Sequence, residues 1–328
     1  MKPQGRSRLL RSLLLTALLV LAGGCRTGSA VSDWAFDDQD GIAVSPNGKQ
    51  IVFVGNDGRG GSDLFLLDLA TNKVRRLANT PEIERQPSFS HSGKLIVYTA
   101  GADWPSPPCS LYVRSLDGKF VKRLTNEGDK RMDLRPSFSS DDEKITFSGA
   151  FAPKYNEQDI FIIGVDGKNL RRVTHDGFNC NQHPRFYRGD TSLVFETYQF
   201  GSDPFRNDPP MVTSEYDLAA GSWKEKIHLG KSTGGINVSP DGKGIVFGSD
   251  PVRFQHDVFY APSLDAPPQS LKIASIGHGS RAMYIAPQQQ VVYFLMNDLQ
   301  IWRVGLDGRG LVRIADVSLF DDPLRWKP

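Results

Sequence analysis

The chain has 328 residues, with 39 Lys and Arg against 37 Asp and Glu, and is 39% hydrophobic with five Trp. The apolar content is enough for packed sheet interfaces in a globular domain. The near-balanced charge speaks against binding nucleic acid by bulk electrostatics.

The first predicted element is a leader. Lys2, Arg6, Arg8 and Arg11 form a basic stretch, followed by an apolar run, Leu13–Ala22, that is too short to span a membrane. Gly23 and Gly24 then precede Cys25. Residues 1–24 read as a signal peptide. Their removal takes four basic and no acidic side chains, leaving 35 basic against 37 acidic. The segment Leu21–Cys25 resembles a bacterial lipobox, with Ala22 where the motif usually has Leu. The resemblance implies cleavage before Cys25 and a diacylglycerol on its thiol; the alternative is an ordinary secretory signal. Arg26 follows, and the missing Asp at that place favours outer-membrane sorting in a Gram-negative host. Residues 25–36, with Gly, Ser and Thr, read as a flexible tether.

From there one short segment returns six times, starting at Ser45, Ser90, Ser139, Tyr187, Ser239 and Ala286, at intervals of 45, 49, 48, 52 and 47 residues. Each copy carries a polar or Gly-containing turn and then a β-branched and aromatic run, such as Ile51-Val52-Phe53 or Ile245-Val246-Phe247. A second hairpin follows each, with Asp-Gly turns at Asp117-Gly118, Asp166-Gly167 and Asp307-Gly308. Four strands per unit and six units predict an all-β chain, a six-bladed β-propeller of four-stranded antiparallel blades over residues 37–328. The piece Asp321–Trp326 leaves open a seventh, degenerate blade, or a strap that fastens the ring. Arg75-Arg76, Lys122-Arg123 and Arg171-Arg172 fall in the last strand of their blades, where basic side chains discourage edge-to-edge pairing.

Two stretches carry a family resemblance: Pro87–Tyr98 with Leu111–Thr125, and Pro136–Phe147 with Asp159–Thr174. Their P-S-F-S, K-x-I-x-F and D-I-F…D-G…R-L-T pattern resembles the TolB-type, WD40-like propeller repeat, over roughly residues 40–326. TolB carries an α/β domain ahead of its ring. About fifteen residues separate Cys25 from the first repeat here, so that domain is expected to be absent. Such propellers serve as docking platforms, sugar-processing enzymes or peptidase accessory domains, so the repeat fixes a fold and leaves function to a site.

Propellers place their sites at the axis mouth, where the chain enters each blade. Aligning the six blade starts selects Asp40, Glu84, Arg85, Gln86, Asp133, Arg135, Gln182, His183, Ser280 and Arg281 as a polar ring facing a solvent-filled mouth. The aromatic and Pro-rich segments 101–109, 149–158 and 197–211 are expected on the same face, suited to protein or carbohydrate recognition.

No G-x-S-x-G turn and no room for a hydrolase domain are present. Some TolB-like propellers bind a divalent ion through His and Gln on the axis. Of six His, only His183, with Gln182, falls in the ring. A metal-dependent polysaccharide lyase or hydrolase centred there is therefore the alternative reading, against a cofactor-free scaffold. With Cys25 lipidated, Cys109 and Cys180 remain. Both are predicted in connections opening on one face, where an oxidising envelope would permit a disulfide. The expectation is a monomeric, non-enzymatic envelope lipoprotein, facing the periplasm or the cell surface, that binds a protein or glycan and no nucleic acid.

Overall fold

The structure is a computed structural model. It describes residues 41–316 apart from 57–60, 79, 103–107, 127–130, 155–156, 176–178, 200–211, 228–232, 253–254, 272–279, 287–288 and 297–299. The leader, Cys25, the tether, Asp40 and Asp321–Trp326 lie outside the described residues. Met1–Ala35 and Phe36–Pro328 form two units, and every described residue belongs to the second.

That unit is a succession of antiparallel four-strand meanders, the second and third linked into one eight-stranded sheet by a single parallel pair, with no α-helix among the described residues; each meander is called a sheet below. The first contains β1 (Ile42–Val44), β2 (Gln50–Asn56), β3 (Ser62–Asp68) and β4 (Lys73–Arg76). The second contains β5 (Ile83–Phe89), β6 (Leu95–Gly101), β7 (Cys109–Ser115) and β8 (Val121–Arg123). The third contains β9 (Arg131–Phe138), β10 (Lys144–Phe151), β11 (Asp159–Gly164) and β12 (Arg171–Arg172). The fourth contains β13 (Asn179–Tyr187), β14 (Ser192–Gln199), β15 (Val212–Asp217) and β16 (Ser222–Ile227). The fifth contains β17 (Thr233–Val238), β18 (Ile245–Val252), β19 (Gln255–Ala261) and β20 (Gln269–Ser270). β21 (Ser280–Ala286), β22 (Val291–Met296), β23 (Gln300–Gly305) and β24 (Val312–Asp316) form the sixth sheet among the described residues.

Side chains alternate across each sheet, and both faces are apolar because each is covered by a neighbour. Ile96 and Tyr98 of β6 pack on Val52 and Leu66 of the first sheet. Val97, between them, packs the other way, against Ile145 and Phe147 of the third. The pattern repeats from sheet to sheet, and Tyr293, Leu295 and Ile301 of the sixth pack on Ile42, Ile51 and Phe53 of the first. The sheets therefore stack as a propeller. Cross-strand aromatic pairs mark one repeat position, with ring centroids 5.6 Å apart for Phe53–Phe65, 5.6 Å for Tyr98–Tyr112, 5.5 Å for Phe147–Phe161 and 5.6 Å for Phe247–Phe259. The fourth sheet has Ser214 opposite Phe195 and fills the space with Trp223, 5.3 Å away.

The turns of the recurring segment latch neighbouring sheets together. Asp142, in the third sheet's turn, accepts from His91 N at 2.6 Å and Ser92 N at 2.9 Å. Asp190, in the fourth, accepts from Ser140 N at 2.9 Å. Asp142 and Asp190 have φ of 61° and 66°, the left-handed backbone that Gly48, Gly93 and Gly242 adopt in other copies.

The basic pairs of the outer strands have a more specific role than edge protection. The second member folds back on its own sheet: Arg76 pairs with Asp63, Arg172 with Asp159, and Arg123 Nη2 donates to Ser110 Oγ at 2.7 Å. The first member reaches the next sheet. Arg75 Nη2 donates to Leu116 O at 2.6 Å, and Lys122 Nζ to Asp166 O at 2.5 Å. Cys109 and Cys180 open strands rather than lying in connections. Both are buried. Cys109 pairs in parallel with Met132 and Cys180 with Gln158, so they mark two different junctions, one on each flank of the third sheet.

Candidate ligand site at the propeller axis

Five of the six described innermost strands, all but β1, carry a bulge at the aligned blade start. The ladder slips between Arg85 and Ser88, Gln182 and Arg185, Gly234 and Asn237, and Arg281 and Met283. On β9 the slip lies opposite Thr146 and Ser148. In three strands a Pro follows, which has no N–H for the ladder and disfavours the α region in the residue before it. The residue before each Pro takes the left-handed backbone, with φ of 55° at Gln86, 55° at Arg135 and 53° at His183, and Gly235, at the same place before Ile236, has φ of 69°. For a non-glycine residue this costs on the order of 1–3 kcal/mol, and such residues concentrate at functional sites.

The ring is more enclosed than a solvent-filled mouth. Glu84, Gln86, Asp133, Arg135, Gln182 and His183 are all buried, and Arg85 is half-buried. The side chains of Ser280 and Arg281, like Asp40, lie outside the described residues. Glu84 and Gln86 join one blade to the next, as does Glu196 beside His183, and the other enclosed side chains pair within their own blade. Gln86 Oε1 accepts from Thr99 Oγ1 at 3.3 Å and from Arg135 N, across the junction, at 2.9 Å. Glu84 accepts from Leu64 N of the first sheet at 3.3 Å and from Thr80 Oγ1 at 3.2 Å, and burial holds its carboxyl above the ordinary range. His183 Nδ1 lies 2.7 Å from Glu196 Oε2, and Glu196 Oε1 accepts from Ile236 N of the fifth sheet at 2.9 Å. Asp133 pairs with Arg131, whose guanidinium lies 4.7 Å over the Phe161 ring. Arg135 Nη1 is 3.5 Å from Gln158 Oε1, and Gln182 Nε2 donates to Cys180 Sγ at 3.0 Å.

A second ring faces the axis two residues further along each strand. Ala43, Ser88, Ser137, Arg185, Asn237 and Tyr284, one from each described sheet, line an axial cavity with about 60 Å³ of room for water. Gln86 and Arg135 also reach it. Arg185 spans to the neighbouring strand, its Nε donating to Asn237 Oδ1 at 3.3 Å. Sequence reasoning missed this ring. The signal was present in Pro-Ser-Phe at 87–89 and 136–138: the Phe is buried in a blade interface, so period two sends the intervening Ser to the axis. Among the described residues no group of three His, Cys, Asp or Glu side chains converges to hold a metal ion.

No protein-family model matches the chain. Over 81 residues it is 35% identical to the Tol-Pal system protein TolB of Francisella tularensis subsp. mediasiatica, a match covering 25% of this chain and 18% of that protein. The chain thus spans less than a fifth of the relatives it matches. TolB from Acinetobacter baumannii superposes with a TM-score of 0.65 at 16% identity, over 82% of this chain and 64% of that one. The putative TolB from Agrobacterium tumefaciens gives 0.59 at 17% identity, over 76% and 87%. An oligogalacturonate lyase in complex with manganese gives 0.53 at 15%, over 77% and 72%. The chain carries a TolB-like β-propeller.

Proposed function

We propose that this propeller is a docking platform of the bacterial cell envelope, anchored through a lipid on Cys25 and carrying no cofactor or chemistry of its own. Its axis-mouth face engages a protein or glycan. The observation that carries this reading is the ring of left-handed polar residues, Gln86, Arg135 and His183, at one repeat position around the axis. A scaffold alone is served there by glycine, as at Gly235. The Tol-Pal system named for the relatives supports a protein partner and an envelope location, with outer-membrane sorting following from Arg26.

Photo-crosslinking in growing cells tests the reading. A benzophenone side chain at Arg85, the half-buried member of the ring, is expected to give a discrete adduct that the same group at Lys119, exposed in the turn between β7 and β8, does not. Equal or absent adducts at both positions would reject it. The likeness to a manganese-bound lyase supports a second reading, a metal-dependent polysaccharide lyase centred on His183. Against it, the His183 ring already contacts Glu196, and two donors make a poor site for a transition metal. Elemental analysis separates the two: a stoichiometric transition metal would favour the lyase.

A further inference from the structure

One contact recurs along the outer rim. The first basic residue of an outer strand donates to a backbone carbonyl in the turn of the next sheet, as Arg75 does to Leu116 O and Lys122 to Asp166 O. The equivalent residue of the third sheet is Arg171, and the equivalent turn of the fourth is Leu218–Gly221. Arg171 is exposed and makes no such side-chain contact among the described residues. Between the third and fourth sheets a cleft of about 880 Å³ opens.

That volume lies in the range of ligand clefts. Val165 and Leu218, half-buried, and Ala219, exposed, line the cleft together with Ile162 and Phe186, which are already buried in one core cluster. Glu143, Asp166, Asp190 and Asp217 stand around it against Lys144 and Arg171, an excess of two negative charges. At the closed junctions the outer cation is satisfied by a peptide carbonyl of the neighbouring sheet. An occupant of the open junction must supply that carbonyl, cover the apolar side chains still partly exposed, and carry positive charge.

We propose that this cleft docks an extended segment of a partner protein in which apolar residues alternate with Lys or Arg. Arg171 donates to a carbonyl of the segment, as Arg75 and Lys122 do within the ring. The apolar side chains cover Val165, Leu218 and Ala219, and the basic ones face the four carboxylates. The site lies at the rim and is independent of the axis-mouth reading.

Fluorescence anisotropy of the full chain with a labelled seven-residue peptide of alternating Lys and Leu tests this. Binding is expected below millimolar, weakening as salt rises. It should fall at least tenfold when Glu replaces Lys in the peptide, and at least fivefold in Ala219→Trp, which fills the cleft, and in Arg171→Ala. Arg75→Ala, at a closed junction, should leave it unchanged. Unaltered melting temperatures would establish that the variants are folded. No binding, equal binding of the Glu peptide, or binding that survives Ala219→Trp would overturn the proposal. So would sedimentation showing that a second copy of the chain occupies the cleft.

Discussion

The inner and outer ends of the blades solve the same problem, joining one sheet to the next, with different chemistry. At the axis the joints are buried side chains accepting across the junction: Glu84 from Leu64 N, Gln86 from Arg135 N, and Glu196, which also holds His183, from Ile236 N. At the rim they are exposed cations reaching peptide carbonyls, as Arg75 and Lys122 do. A buried charge that loses its partner has no water to replace it, whereas an exposed one does. The inner joints therefore hold the ring, and the outer ones can be left open without losing it, as between the third and fourth sheets.

The largest effect should come from the axis. Asp133→Ala removes the buried carboxylate that pairs with the Arg131 guanidinium and is expected to cost about 3–5 kcal/mol of stability. Urea unfolding would measure it, and a loss below about 1 kcal/mol would erase the contrast between the two ends. Arg131→Met in the same background should recover much of the loss, because the charge goes with its partner.

Glu84 gives a smaller, pH-dependent signature. Burial raises its carboxyl above the ordinary 4.5, so the folded state binds that proton more tightly than the unfolded one. Its contribution is present below pH 4.5, is lost as pH rises through the raised value, and stays lost beyond it. Glu84→Gln keeps the acceptor for Leu64 N and removes the charge. Stability measured from pH 4 to 8 should then lack this decline; an unchanged profile would place its origin elsewhere.

The smallest effects belong to the rim. Arg75→Ala should cost less than about 1 kcal/mol, and Arg171→Ala should change the melting temperature by nothing measurable. A large loss from Arg171→Ala would mean that the third and fourth sheets are joined there after all.

The propeller was legible in the sequence because a blade is a local object. Its turns, its period-two strands and its spacing all lie within about fifty residues, so six copies repeat the same evidence. The described candidate residues lie on innermost strands, at or beside the bulges. Their environment was not legible: Glu84, Gln86, Asp133 and His183 read as mouth-facing polar groups, yet each is closed off by a partner. Three of these partners lie on a neighbouring strand or sheet: Leu64, Arg135 and Glu196.

The repeat alone determined that the chain is all β-strand, that its strands come in fours, and that apolar residues alternate toward two covered faces. Only the tertiary structure decided which polar side chains serve the joints, which line the axis, and where the rim stays open. Strand pattern follows from neighbours in the chain, whereas those roles depend on residues brought together from different sheets.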